Sequence, residues 1–254
     1  MEITEIQSIE HESTDDSSAD GPPISADEFF KSPNFYKNAQ KYWSEIAPTI
    51  DGMLGGLSVV DPADIQGSSR FLCELFKMKP SPGKQRSVDC GAGIGRVTKN
   101  LLMKYFESID LVEQDANFVS KSKQYLSIDG KLHSKIGEIF NVGLQTFQPA
   151  TASYDVIWCQ WVLGHLTDED LANFFRRCIS SLKPNGCLII KENCAPNDDF
   201  TIDSVDSSVT RSLRIIKKIL DLVGLRIIKI NKQGNFIPGL FPVYMLACRP
   251  IKRK

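Results

Sequence analysis

No stretch of this 254-residue chain approaches the roughly 18 consecutive apolar residues that a membrane-crossing helix needs. Its first residues carry neither a basic segment nor an apolar core, which argues against a secretory signal. The seven cysteines, at 73, 90, 159, 178, 187, 194 and 248, are odd in number and form no C-x-x-C pair. They read as reduced thiols of an intracellular protein with no zinc site. Residues 1–28 lack any Lys or Arg but hold nine acids. With those nine of the 31 acids set aside, the remainder has 30 basic against 22 acidic residues, a net of +8 behind the overall −1. The acidic tract is Ser- and Asp-rich and runs into Gly21-Pro22-Pro23, so 1–28 reads as a disordered leader. It serves as a solvated tail, a screen for the basic body, or a partner-binding segment. A modest +8 without a basic–aromatic run or a known reader motif does not support direct nucleic-acid binding.

What is present is an ordinary globular composition, 42% apolar and 24% charged. Within it lies one informative stretch, Val88-Asp89-Cys90-Gly91-Ala92-Gly93-Ile94-Gly95-Arg96. It reads as a buried strand end, a glycine turn and a helix start, a turn that lets backbone approach a ligand closely. Ile109–Val112 reads as the next strand, with Glu113 placed to accept the two hydroxyls of a ribose. The spacing is G-x-G-x-G rather than the dinucleotide G-x-G-x-x-G. An acid, Asp89, stands where a pyrophosphate would not tolerate one. Asp89 suits the cationic amino-acid portion of S-adenosylmethionine; a ligand-free turn and a dinucleotide site are the competing readings.

Along the chain, residues 29–80 read as an extension rich in aromatics, with helices and a tight Asp51-Gly52-Met53-Leu54-Gly55-Gly56 loop. Strands are expected at 87–90, 109–113, 133–138, 154–159, 187–191, 225–230 and 243–248. Helices are expected at 65–76, 95–105, 115–126, 167–181 and 207–223, with a turn at 183–186. This alternation predicts one α/β domain over 29–254, a doubly wound seven-stranded sheet. Its last two strands lack an intervening helix, so the last strand is antiparallel, read as a reversed edge.

Candidate site residues cluster at the strand ends where open α/β sheets bind ligands. Leu144 and Gln145 follow the third strand. Trp158-Cys159-Gln160-Trp161-Val162-Leu163-Gly164-His165 runs off the fourth. Trp158 alternates with strand neighbours and reads as core, Trp161 fits core or site equally, and His165, after a glycine at a strand exit, reads as functional. Asn193 ends the fifth strand. Asp203 and Asp206 precede a helix; N-capping by Asp206 or Ser207 explains one acid but not both. Two acids facing an aromatic cleft suit a cationic substrate.

Taken together, Asp51–Gly56, Asp89–Arg96, Gln160-Trp161-Val162-x-Gly164-His165-Leu166-Thr167, Lys191–Asn193 and Val205-Asp206-Ser207-Ser208 resemble the protein α-N-terminal methyltransferases, over about residues 35–248. The resemblance implies a class I (Rossmann-like) methyltransferase fold that uses S-adenosyl-L-methionine to methylate protein substrates with an exposed X-Pro-Lys or X-Pro-Arg N-terminus. It implies that Gly91, Gly93 and Arg96 hold the cofactor's methionine end beside Asp89, that Glu113 takes the ribose, and that Leu144, Gln145 and Gln160 line the remainder. Asn193 would orient the α-amine, with His165 and Asp206 assisting deprotonation. Trp161 would pack on the second-position Pro, Asp203 and Ser208 would read the third residue, and Tyr42, Trp43, Leu54 and Gly55 would wall the peptide channel.

The resemblance further implies a nuclear and cytoplasmic protein, a monomer or weak dimer, with no membrane partner. Its Gly55-Gly56 loop is similar to that of the trimethylating branch. Phe241-Pro242-Val243-Tyr244 departs from a Tyr-His-Val pattern common among relatives and removes a hydroxyl at 241. The alternatives are a methyltransferase for a small amine or a protein side chain, and a silent cofactor-binding subunit.

Overall fold

The structure, a computed structural model, describes residues 25–196 and 199–251. Positions 1–24 of the expected leader lie outside the described residues. Positions 25–28 are not leader: they cap and begin helix α1 (Ala26–Phe30), where the Ser25 hydroxyl accepts the Glu28 N–H and the Glu28 carboxylate accepts the Ser25 N–H. Helix α2 (Phe35–Glu45), the single turn α3 (Ile50–Met53) and α4 (Asp61–Lys77) complete the extension.

Strand β1 (Arg86–Cys90), α5 (Arg96–Asn100), β2 (Ser108–Val112) and α6 (Ala116–Tyr125) form the first half. A small hairpin, β3 (Ser127–Ile128) with β4 (Lys131–Leu132), leads to β5 (Ile136–Phe140). Then come β6 (Tyr154–Gln160), α7 (Asp168–Ser181) and β7 (Leu182–Asn193). A second hairpin of β8 (Phe200–Asp203) and β9 (Ser208–Arg211), α8 (Leu213–Val223), β10 (Leu225–Lys232) and β11 (Val243–Pro250) close the fold.

The seven-stranded sheet runs β10-β11-β7-β6-β1-β2-β5. Strands β5, β2, β1, β6 and β7 are parallel neighbours, and β11 is antiparallel to both β7 and β10. The reversed strand therefore lies one position inside the edge, and β10 is the edge itself. Central β6 is buried along its whole length. One face packs Phe174, Phe175 and Cys178 of α7 and Ile216, Ile219 and Leu220 of α8. The other packs Phe71, Leu72 and Leu75 of α4 with Leu101, Leu102 and Phe106. Trp158 sits fully buried in this second layer, as core.

Several boundaries differ from the sequence expectation. The 95–105 helix is only α5 plus a 3-10 turn at Leu102–Lys104. The expected turn at 183–186 is absorbed into β7, where Asn185 takes φ +66° and the register with β6 shifts. The helix expected from 207 starts at Leu213. Ser212, not Asp206 or Ser207, is its N-cap, and Gly224 at φ +81° ends it. Residues 208–211 are strand because Ser208–Arg211 pairs with Phe200–Asp203.

Candidate active site

The strand order reverses between β1 and β6, so their C-terminal ends part and leave a crevice. The glycine turn enters it from β1. Gly91 and Gly93 take φ +71° and +55°, and a Cβ there would stand 2.5 Å from Val162 and 2.3 Å from Met53. Only glycine lets this backbone seat against those side chains. The Glu113 carboxylate accepts the Gly93 N–H at 2.8 Å and the Asp115 N–H at 2.9 Å, which locks the turn to the β2 exit. Asp89 accepts the Thr98 N–H and hydroxyl with one oxygen. Burial pushes its carboxyl up to about 6 against those bonds.

Asp89, Gly91, Gly93, Arg96, Glu113, Leu144, Gln145 and Gln160 all line one chamber, as the sequence reading expected of a cofactor site. One face of α2 (Tyr36, Ala39, Trp43) roofs it, and Phe118 adds a further wall. The donor set fits S-adenosylmethionine. Arg96 is a buried cation whose Nε has no partner among the described residues, which suits a carboxylate; Glu113 suits a ribose diol; Leu144, Val142 and Phe118 suit an adenine. Two side chains are less free than expected. Gln160 donates its amide N–H to Asp64 and its carbonyl accepts the Trp158 indole N–H, so it contributes shape rather than a spare hydrogen bond. Arg96 Nη1 is held by Asp61 at 2.5 Å and Asp64 at 2.8 Å.

A second cavity of about 530 Å³ adjoins the first and shares Trp43, Met53, Leu54, Trp161 and His165 with it. Trp161 takes φ +52°, a backbone region that bulky residues rarely occupy, as the chain leaves β6. Such strain at a strand exit persists where the surroundings enforce it. The Glu192 side chain is one enforcer: its Oε1 accepts the N–H groups of Val162 and Leu163, each at 2.9 Å. Burial raises the Glu192 carboxyl to about 7.

Tyr42, Gly55, Asn193, Asp206 and Ser208 line this second cavity. His165 Nε2 accepts the Trp43 indole N–H at 3.0 Å and stands 3.9 Å from Asp206. Burial holds the imidazole below its ordinary value, opposed by the Asp206 charge. Burial also raises Asp206, which accepts bonds from Ser208 and keeps Oδ1 buried with no donor among the described residues. Asp203 does not join the wall. It is exposed at the hairpin turn, where its Oδ1 accepts the Val205 and Asp206 N–H groups.

Four contributors were not anticipated. Arg177 donates to the carbonyls of Leu144, Gln145 and Phe147 and so shapes the loop that lines the first chamber. Met53 Sδ accepts the Ile94 N–H. Arg211 binds Asp168 and the carbonyls of Leu163 and Leu166 under the His165 turn. Lys191, fully buried, binds Asp64, Ser68 and Gln233, tying α4 and the loop after β10 to the sheet. A lysine closing the apolar run Cys187–Ile190 was the available signal for the last; the others depend on long-range contacts.

Comparison with known proteins agrees with this geometry. The family described as AdoMet dependent proline di-methyltransferase matches residues 31–249. The Alpha N-terminal protein methyltransferase 1 of Drosophila melanogaster is 50% identical over 220 residues, 87% of this chain and 78% of that protein. The human N-terminal Xaa-Pro-Lys N-methyltransferase 1 is 44% identical over 216 residues, 85% of this chain and 95% of that protein. A solved SAM-dependent methyltransferase from Leishmania major superposes with a TM-score of 0.82 at 35% identity, covering 89% of this chain and 91% of that one. The cofactor is S-adenosylmethionine, and the chain belongs to the AdoMet dependent proline di-methyltransferase family.

Proposed function

We propose that the protein methylates the α-amine of polypeptides whose exposed N-terminus reads X-Pro-Lys or X-Pro-Arg. The relatives named for N-terminal methylation support this reading. The observation that carries it is the buried Oδ1 of Asp206, without a donor among the described residues, on the wall of an aromatic cavity joined to the cofactor chamber through Trp161. A desolvated carboxylate favours a cation such as an α-ammonium.

When bound, the cofactor supplies an electrophilic sulfonium methyl. The chain's own residues present the amine to it. Asn193 offers a donor and an acceptor on the rim, and Trp161 and Tyr42 give flat walls that suit a proline ring. A free α-amine has a pKa of ~7.7–8.0, so near neutral pH its deprotonation costs only about 1 kcal/mol. Holding the amine in place and accepting one proton therefore suffices for the protein's part. The same reading has the protein acting in nucleus and cytoplasm as a monomer or weak dimer, which fractionation and light scattering test.

The deciding experiment supplies S-adenosylmethionine with a Ser-Pro-Lys-led peptide and the same peptide acetylated at its α-amine, read by mass. Gain in whole methyl increments on the free peptide alone supports the proposal and counts the methyls. Equal gain on both moves the reaction to a side chain. No gain on either, with cofactor bound, points to a small amine or a silent subunit.

A further inference from the structure

Two groups beside the amine site, Asp206 and His165, can each take a proton, and the hydrogen-bond pattern tells them apart. Trp43 Nε1 lies 3.0 Å from His165 Nε2. An indole N–H only donates, so Nε2 must be the accepting, unprotonated nitrogen. The other ring nitrogen, Nδ1, lies 3.4 Å from the Ser207 carbonyl. A carbonyl only accepts, so Nδ1 carries the proton. The two partners, from α2 and from the turn between β8 and β9, require the same tautomer independently.

The lone pair that a base would use is thus already taken. Asp206 Oδ2 stands 3.9 Å from Nε2, beyond hydrogen-bond reach, so this carboxylate is not spent on the imidazole. Among the described residues the charges that act on the ring are Asp206 beside it and, more weakly, Asp203 on the hairpin turn; Trp43 faces it edge-on from α2. Protonating Nε2 would require breaking the Trp43 bond first. Asp206, in contrast, keeps one oxygen with no donor among the described residues.

We infer, resting on the amine-methylating role proposed above, that Asp206 alone receives the amine proton and that His165 is a positioning residue, a neutral latch for Trp43. One N–H bond of the bound ammonium breaks and its proton goes to an Asp206 oxygen. The lone pair stays on nitrogen, and the carboxyl later returns its proton to water. The latch matters because Trp43 walls both cavities. Its helix is tied at the other end by the Tyr36 hydroxyl, which bonds Asp170. His165 therefore fixes the roof over cofactor and peptide together.

The test has two arms. The first uses the unaltered protein: the ¹⁵N shifts of the His165 ring nitrogens, assigned by their loss in a His165→Gln variant. An Nδ1–H ring with bare Nε2 through neutral pH is expected; an Nε2–H ring overturns the assignment, whether or not any peptide is methylated. The second compares kcat, KM and pH profiles on the Ser-Pro-Lys peptide. His165→Gln places a carbonyl near the former Nε2, able to accept the Trp43 N–H but not to hold a proton near neutral pH. It is expected to lower kcat less than about tenfold, raise KM, and leave the acid limb of kcat in place. Asp206→Asn is expected to lower kcat about a hundredfold or more, the usual worth of a general base. Equal collapse of kcat in both variants, with cofactor binding and circular dichroism intact, overturns the proposal. Absence of turnover in the unaltered protein refutes the functional reading instead, and the first arm still decides the tautomer.

Discussion

Replacing Lys191 by Met removes one charge from the interior while keeping most of the side-chain volume. Lys191 Nζ lies 2.5 Å from Asp64 Oδ1, and it also donates to the Asp64 carbonyl, Ser68 and Gln233 at 3.0, 2.9 and 2.8 Å. Neither side chain of the ion pair is exposed. Removing one partner of a buried ion pair costs ~3–5 kcal/mol, because the other charge is left uncompensated. Asp64 keeps Arg96 at 2.8 Å and the Gln160 amide, which places the expected loss at the low end, about 3 kcal/mol. At ~2–4 °C per kcal/mol for a chain of this size, the melting temperature falls by roughly 6–12 °C. Urea unfolding without cofactor measures the loss directly. The paired change Asp64→Leu with Lys191→Met leaves no carboxylate stranded by the missing lysine, so it should cost clearly less than the sum of the single changes. A single-variant loss below about 1 kcal/mol, or strict additivity in the cycle, would refute the reasoning.

Further outcomes follow from the same structure. Glu192 has its carboxyl raised to about 7 by burial, so it binds a proton more readily folded than unfolded. Its favourable contribution is complete below the ordinary carboxylate range and is lost as pH rises through about 7. Glu192→Gln keeps the oxygen that accepts both Val162 and Leu163 N–H groups, so urea titrations should show it abolishing that slope; an unchanged slope sinks the assignment. Arg177→Ala strips donors from the Leu144, Gln145 and Phe147 carbonyls, and at ~1 kcal/mol per net hydrogen bond the cofactor KM should rise about five- to tenfold more than kcat changes. Asp203→Asn keeps a turn acceptor and removes an exposed charge, so peptide KM should rise less than about fivefold, in line with the ~0–1 kcal/mol of surface ion pairs; a hundredfold rise would show that Asp203 enters the cavity.

Local pattern was enough for the sheet and for most of the cofactor chamber. Gly91, Gly93, Arg96 and Glu113 are contiguous with the strands that carry them, and the glycine turn, the strand-end acid and the alternation of elements are short-range facts. The helix expected over 207–223 is present as α8, yet it starts later, at Leu213, because pairing with Phe200–Asp203 recruits 208–211 into a strand. That pairing also decides the separation of Asp206, held on the cavity wall, from Asp203, spent on the turn.

Which side chains are free and which are occupied was not legible along the chain. Gln160 and Arg96 are bonded to Asp64, almost 100 and just over 30 positions away, and His165 to Trp43 across more than 120. Sequence by itself determined the residue types, the strand and helix periods and the glycine turn, because these depend on neighbours within a few residues. Tertiary structure decided the position of the reversed strand, the tautomer of His165, the buried Lys191–Asp64 pair and the joining of two cavities through Trp161. Each of those is a contact between segments distant in the chain, where burial and the obligation to satisfy every polar group set the outcome.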